Sequence, residues 1–283
     1  MMEQNEKADD ISQSITLDAV VVESGVKLAY YDSKESHGLD TALVLLHGYC
    51  GSSAYWEKIV DELAASIRVV APDARGHGRS SAPEDEIYGM ELFADDLAGL
   101  LDSLSIRRAI VLGHSLGGYI ALAFAERYAD RLSAFGLVHS TPLPDSEAAR
   151  ANRDKAVASL QESGVAAFVD GLIPKLFAKD RLEGMGPEVA WCKEIGYATA
   201  QNGAIATARG MKARRDRSEV ISGSSLPVLL VAGVQDGVIP IESTFSAVNE
   251  ETRKVELEQA GHMSMMECAP QLAEEIASFV RSI

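Results

Sequence analysis

Short apolar runs alternate with longer amphipathic stretches over most of this chain. Residues 41–46, 67–71, 109–112 and 134–138 are aliphatic runs of strand length, bounded by Gly, Pro, Asp and Ser. Between them, residues 54–66, 88–104 and 116–128 repeat their apolar positions at helical spacing, as in Leu92, Phe93, Leu97, Leu100, Leu101 and Leu104. Strands apolar on both faces and separated by helices predict a mostly parallel sheet with helices on both sides, an α/β fold. Residues 15–23 and 26–32 precede this rhythm as two β-rich runs joined at Ser24-Gly25, a hairpin signal.

The alternation then stops. Residues 141–225 hold no convincing strand, only helical segments at 148–163, 165–177, 188–201 and 204–214. Strand character returns at 227–232 and 254–257, and residues 270–283 make a closing helix. We therefore expect a core of residues 15–140 and 226–283, with residues 141–225 inserted as a helical cap. The insertion begins beside the C-terminal ends of the strands, where open α/β sheets bind ligands. Residues 1–14 are polar and acidic, lack the apolar centre of a signal peptide, and are expected to be a disordered tail.

Composition narrows the partners. Of the 283 residues 47% are hydrophobic, enough for a sizeable core without disulfides or metals. A formal charge of −16 argues against nucleic acid or anionic membrane, because phosphates reward Lys and Arg. No run approaches membrane-spanning length. The three cysteines, Cys50, Cys192 and Cys268, are odd in number and far apart, which fits a reduced, cytoplasmic protein. Neither CxxC nor HExxH spacing is present, so no metal and no cofactor is expected, and the oligomeric state is not legible.

Chemistry enters at Gly113-His114-Ser115-Leu116-Gly117-Gly118, which stands between an apolar strand and an amphipathic helix. A strand turning directly into a helix around G-x-S-x-G is the nucleophile-elbow pattern. Ser115 must sit in a strained turn that lifts its hydroxyl clear of the sheet, and Gly113 and Gly117 remove the side chains that would collide there. The helix N-terminus directs N–H groups and positive dipole to where negative charge develops in acyl transfer. A serine hydroxyl needs a base, and the base needs an orienting acid; in this architecture they follow in the order Ser, Asp or Glu, His. Of six histidines only His262 follows residue 140, in a loop between the last strand and the last helix. The acid is most simply Asp236, just past the strand at 227–232, with Asp145 and then Glu242 as the other candidates. Leu116 N–H and Tyr49 N–H are the expected oxyanion donors. His47, His77 and His114 read as buried scaffold, and Asp73 and Arg75 as ties within their loop. Cys50, Phe177, Trp191 and Met263 are expected to line the substrate pocket.

Taken together, His47-Gly48, the run from Asp73 through Arg75-Gly76-His77-Gly78-Arg79-Ser80, the Ser115 elbow, Asp236 and Gly261-His262 resemble the α/β-hydrolase superfamily. The resemblance covers residue 43 to the C-terminus. It implies a Ser–Asp–His triad and a central sheet of about eight strands. The Arg-Gly-His-Gly-Arg-Ser loop and the helical insertion are similar to small-molecule carboxylesterases, enol-lactonases and cofactor-free carbon–carbon bond hydrolases. A serine at 115 sets aside the relatives that attack with a carboxylate. We expect a serine esterase or lactonase acting on a small, largely apolar substrate. The same residues could cleave a carbon–carbon bond in a diketone, and a hydrolase-fold ligand receptor or signalling protein with slow turnover is the reading outside enzymes.

Overall fold

β3 (Thr41–Leu46), β5 (Arg108–His114), β6 (Leu132–Val138) and β7 (Val228–Gly233) lie side by side with almost every residue buried. That explains their lack of polar alternation: each is covered on both faces. The computed structural model describes residues 16–38 and 40–283, so the expected tail at 1–14 falls outside the described residues. One eight-stranded sheet runs in the order β1-β2-β4-β3-β5-β6-β7-β8, completed by β1 (Asp18–Val21), β2 (Lys27–Asp32), β4 (Val69–Pro72) and β8 (Thr252–Leu257). All neighbours from β4 to β8 are parallel; β1 and β2 form the antiparallel hairpin at one edge. At the hairpin turn Gly25 takes a φ of 80°.

The helices cover the two faces. On one side α1 (Glu57–Ala64), continuing a 3₁₀ turn at Ser53–Trp56, packs on the C-terminal helix. On the other, α2 (Met90–Ser103) packs on α3 (Leu116–Arg127). Among the described residues, the chain between β6 and β7 holds helices and no strand: α4 (Glu147–Leu172), α5 (Gly186–Tyr197), α6 (Gln201–Ala213) and a short α7 (Ser218–Ser222). The two helices expected at 148–163 and 165–177 meet at Gly164, whose φ of 78° and ψ of 177° break α4 into two limbs. An 18-residue window within Glu147–Leu176 reaches a mean hydropathy of 1.2, so by length and composition alone this stretch passes for a membrane span, although no run of that length was expected. The break at Gly164 and the packing of α4 on α5 and α6 make it a helical hairpin partner instead. α8 (Ile241–Thr244), α9 (Ser264–Glu267) and α10 (Ala269–Arg281) follow β7 and β8.

This helical segment is stitched to the loops at the C-terminal ends of the strands. His262 N–H donates to Leu176 O at 2.7 Å, Tyr49 Oη–H to Ala204 O at 2.8 Å, and Ala200 N–H to Gly76 O at 3.1 Å.

Candidate active site

Ser115 occupies the turn between β5 and α3 with φ 51° and ψ −110°, a region that side chains rarely adopt and that costs about 1–3 kcal/mol. Its neighbours explain how the sequence holds that turn. A Cβ at Gly113 would lie 2.0 Å from Gly117 O, and one at Gly117 would lie 2.4 Å from Leu46 O. The two glycines therefore let helix, elbow and the end of β3 share one small volume. Ser140 Oγ–H, one strand over, donates to Ser115 O at 2.7 Å and fixes the turn from the side.

β7 and β8 deliver the other two expected residues. His262 Nδ1 and Asp236 Oδ2 are 2.7 Å apart, and both side chains are buried. A carboxylate only accepts, so Nδ1 carries the proton and Nε2 presents a lone pair. The second Asp236 oxygen, Oδ1, accepts from Val238 N–H at 2.7 Å and Ile239 N–H at 2.9 Å. Burial acts to raise the Asp236 carboxyl, but His262 beside it outweighs burial and holds it well below the carboxylate range. No hydrogen bond joins Ser115 Oγ to His262 among the described residues, so Nε2 and the hydroxyl are both uncommitted. Such contacts commonly tighten only when substrate is bound.

Two backbone donors are also uncommitted. Among the described residues neither Tyr49 N–H nor Leu116 N–H has an acceptor. Leu116 opens α3 and Tyr49 follows His47-Gly48 at the end of β3, the two places where oxyanion donors are expected. Asp145, the other acid considered, is engaged elsewhere: Arg153 Nε and Arg214 Nη1 both donate to it.

The scaffold residues are placed as the sequence suggested. His47 Nδ1–H donates to Gly48 O at 2.7 Å and its Nε2 accepts from Ala74 N–H at 2.9 Å. Burial pushes His47 down to about 4 and His77 to about 3, so both are neutral imidazoles. Asp73 Oδ1 accepts from Ser53 N–H and Oγ–H and its Oδ2 from Arg79 N–H, while Arg75 pairs with Asp96 at 2.6 Å. Of the expected pocket residues, Cys50, Phe177 and Met263 are fully buried and Trp191 half-buried, all in one apolar cluster shared by core and helical segment. Burial pushes the Cys50 thiol up to about 12, which removes it as a nucleophile.

Two supports went unread in the sequence. His139 follows β6 directly; its Nδ1 accepts from Gly233 N–H at 3.1 Å and its Nε2 faces Ser264 Oγ at 2.6 Å. Glu267 is buried and brackets His262: Oε2 accepts from Gly261 N–H at 2.9 Å and Met263 N–H at 3.1 Å, and Oε1 from Ala178 N–H at 2.7 Å. The one available signal was position, a histidine at a strand's C-terminal end and an acid a helical turn past a loop histidine.

Comparison with known proteins places the family and the fold. Residues 41–167 match a protein family described as alpha/beta hydrolase fold. The chain is 30% identical over 207 residues to 2-(acetamidomethylene)succinate hydrolase of Mesorhizobium japonicum, covering 69% of this chain and 71% of that one. It is 31% identical to the dihydrolipoyllysine-residue acetyltransferase component of the acetoin cleaving system of Pseudomonas putida, covering 85% of this chain but only 64% of that relative's length. Among solved structures, a thermophilic esterase from Thermogutta terrifontis superposes with a TM-score of 0.86 at 28% identity, over 94% of this chain and 98% of that one. The enol-lactonase from Burkholderia xenovorans LB400 gives 0.85 at 27% identity, over 93% of this chain and all (100%) of that one.

Proposed function

The chain belongs to the α/β-hydrolase superfamily, and within it we propose a serine hydrolase that opens a carboxylic ester or lactone of a small molecule. The observation that carries this reading is the 2.7 Å bond from His262 Nδ1 to Asp236, which leaves Nε2 as a free base at the strand ends that also present Ser115. As Ser115 Oγ bonds to the acyl carbon, His262 Nε2 takes the hydroxyl proton. Tyr49 N–H and Leu116 N–H receive the oxyanion. Imidazolium then returns the proton to the leaving oxygen as the acyl–oxygen bond breaks, giving an acyl-Ser115. Water, deprotonated by His262, attacks that carbonyl and releases the acid. Asp236 holds the ring in the working tautomer throughout.

Residues 141–225 act as the cap in this reading. Val165, Phe168, Leu172, Trp191 and Ile195 are only partly buried yet packed on the apolar cluster that contains Cys50 and Met263, which supports an apolar acyl pocket beneath the cap.

A fluorophosphonate tests the assignment. It should label Ser115, and Ser115→Ala should lose both the label and turnover of p-nitrophenyl esters. Labelling at Cys50 would overturn the reading. A substrate panel of p-nitrophenyl esters, lactones and a diketone, run on one preparation, fixes the bond: diketone cleavage without ester cleavage would move the activity to carbon–carbon hydrolysis. A single turnover leaving a lasting adduct would identify a receptor.

A further inference from the structure

The end of β6 holds Ser115 from both sides. Ser115 N–H donates to Val138 O at 3.0 Å, and Ser115 O accepts from Ser140 Oγ–H at 2.7 Å. Val138 closes β6 and Ser140 lies two residues further on, fully buried. Its own segment is tied down at both neighbours: His139 N–H donates to Val231 O at 2.8 Å, and Thr141 Oγ1–H to Ser243 O at 2.8 Å. Room for the hydroxyl comes from the last glycine of the elbow motif. A Cβ at Gly118 would lie 2.4 Å from both Cβ and Oγ of Ser140.

The carbonyl does not need this hydroxyl to be satisfied. Ser115 O also accepts from Gly118 N–H at 2.9 Å and from Tyr119 N–H at 3.4 Å. Those two donors belong to the first turn of α3 and move with it, whereas Ser140 ties the same oxygen to the sheet. The difference matters because of what stands at the other end of the peptide. Ser115 C=O and Leu116 N–H share one planar trans unit and point in opposite directions, so holding one aims the other. Local preference does not set that aim, since φ 51° and ψ −110° at Ser115 persist only where the surroundings impose them. A hydroxyl bonded to the carbonyl also polarises the amide and strengthens its N–H as a donor.

We propose that Ser140 is a positioning residue for the oxyanion hole, acting through the Ser115–Leu116 peptide to aim and strengthen the Leu116 N–H. This rests on the reading of Ser115 as the nucleophile and Leu116 N–H as an oxyanion donor, so the test separates the two.

Ser140→Ala removes the hydroxyl and leaves the carbonyl its two α3 donors. On the best substrate of the ester and lactone panel kcat should fall about tenfold with KM little changed, short of the 10²–10³ that follows outright loss of a donor. Two readouts separate this from general damage. An alkylthio trifluoromethyl ketone accepts Ser115 Oγ at its carbonyl carbon, passes the hydroxyl proton to His262 and leaves a tetrahedral oxyanion. Its affinity should fall by the same factor as kcat/KM, while inhibition by the product acid is unchanged. The pH profile of kcat/KM should keep its inflection, because the bonds of Ser140 run to the elbow and not to His262. Ser140→Cys, similar in shape but a weaker donor, should fall between the native chain and Ser140→Ala, and carries the comparison should Ser140→Ala not fold. Unchanged kcat in Ser140→Ala, equal weakening of ketone and acid, or a displaced inflection overturns the proposal and leaves the hydrolase reading intact. A native chain that turns over no ester or lactone and forms no ketone adduct overturns both.

Discussion

His139 Nδ1 lies 3.6 Å from Asp236 Oδ2 and yet does not donate to it. Its Nδ1 is already the acceptor for Gly233 N–H, so the ring proton sits on Nε2, pointing to Ser264 Oγ. Asp236 is thus left to a single imidazole donor, His262. Burial is the largest influence on His139 and lowers its affinity for a proton, opposing the pull of Asp236, and so keeps this division in place.

Replacing His139 by Phe removes both partners at once. Gly233 N–H and Ser264 Oγ are then buried without a bond at this point, each costing about 1–3 kcal/mol. Urea unfolding should show a loss of that order. His139→Gln, which can still accept from Gly233 and donate toward Ser264, should recover much of it. Equal stability in His139→Phe and the native chain would mean that neither bond matters.

Asp236→Asn should lower kcat by about 10⁴, because the amide favours the wrong imidazole tautomer. The same variant reads the carboxyl's titration. The folded-state value is depressed, so the stability it contributes is present above the unfolded value of about 3.9 and is lost as pH falls toward the folded value. The stability difference between the native chain and Asp236→Asn should be largest near neutrality and should shrink steadily below about pH 4. A difference that stays constant from pH 6 to pH 2.5 would contradict the depressed value.

Much of this was legible along the chain, and the boundary of what was not is physical. Runs such as residues 109–112 announce buried strands because nothing polar can face out from either side, and Ser24-Gly25 announces its hairpin through local turn chemistry. The positions of Ser115, Asp236 and His262 follow from a motif and a chain order. Strand order is different: β4 lies between β2 and β3, a crossover that no local pattern encodes. Glu267 escaped for a related reason, since it accepts from Ala178, 89 residues away. A charge's role depends on its neighbours in space, and those are what sequence spacing leaves out.

Glu267→Gln is the test of the bracket around His262. The amide keeps the volume but turns one acceptor oxygen into a donor that faces backbone N–H groups. Burial raises the Glu267 carboxyl, and the N–H groups of Ala178, Met263 and Gly261 hold against that trend. At least one of those donors loses its acceptor in the variant, at a cost of about 1–3 kcal/mol. Since the loop carrying His262 is the part released, kcat should fall while ground-state binding of a substrate analogue changes little. Unchanged kcat in a variant with reduced stability would confine Glu267 to a structural role.

Tyr49 has two groups that could act, and they make opposite predictions. Among the described residues its N–H, at the end of β3, has no acceptor, whereas its phenol is committed to Ala204 O on α6 at 2.8 Å. Burial raises the phenol well above its ordinary value, so it stays protonated and keeps donating to that carbonyl. Tyr49→Phe leaves the N–H in place and deletes only the tie between core loop and helical segment. One neutral hydrogen bond contributes about 0.5–1.5 kcal/mol, so thermal unfolding should come slightly earlier and kcat should fall by no more than about tenfold. Loss of an oxyanion donor instead lowers kcat by about 10²–10³. A drop of that size in a folded Tyr49→Phe variant would show that the phenol, and not the backbone, serves the reacting carbonyl. A small drop accompanied by an altered preference among acyl chains would place the tie in cap closure, because only the position of α6 over the cleft would then have changed.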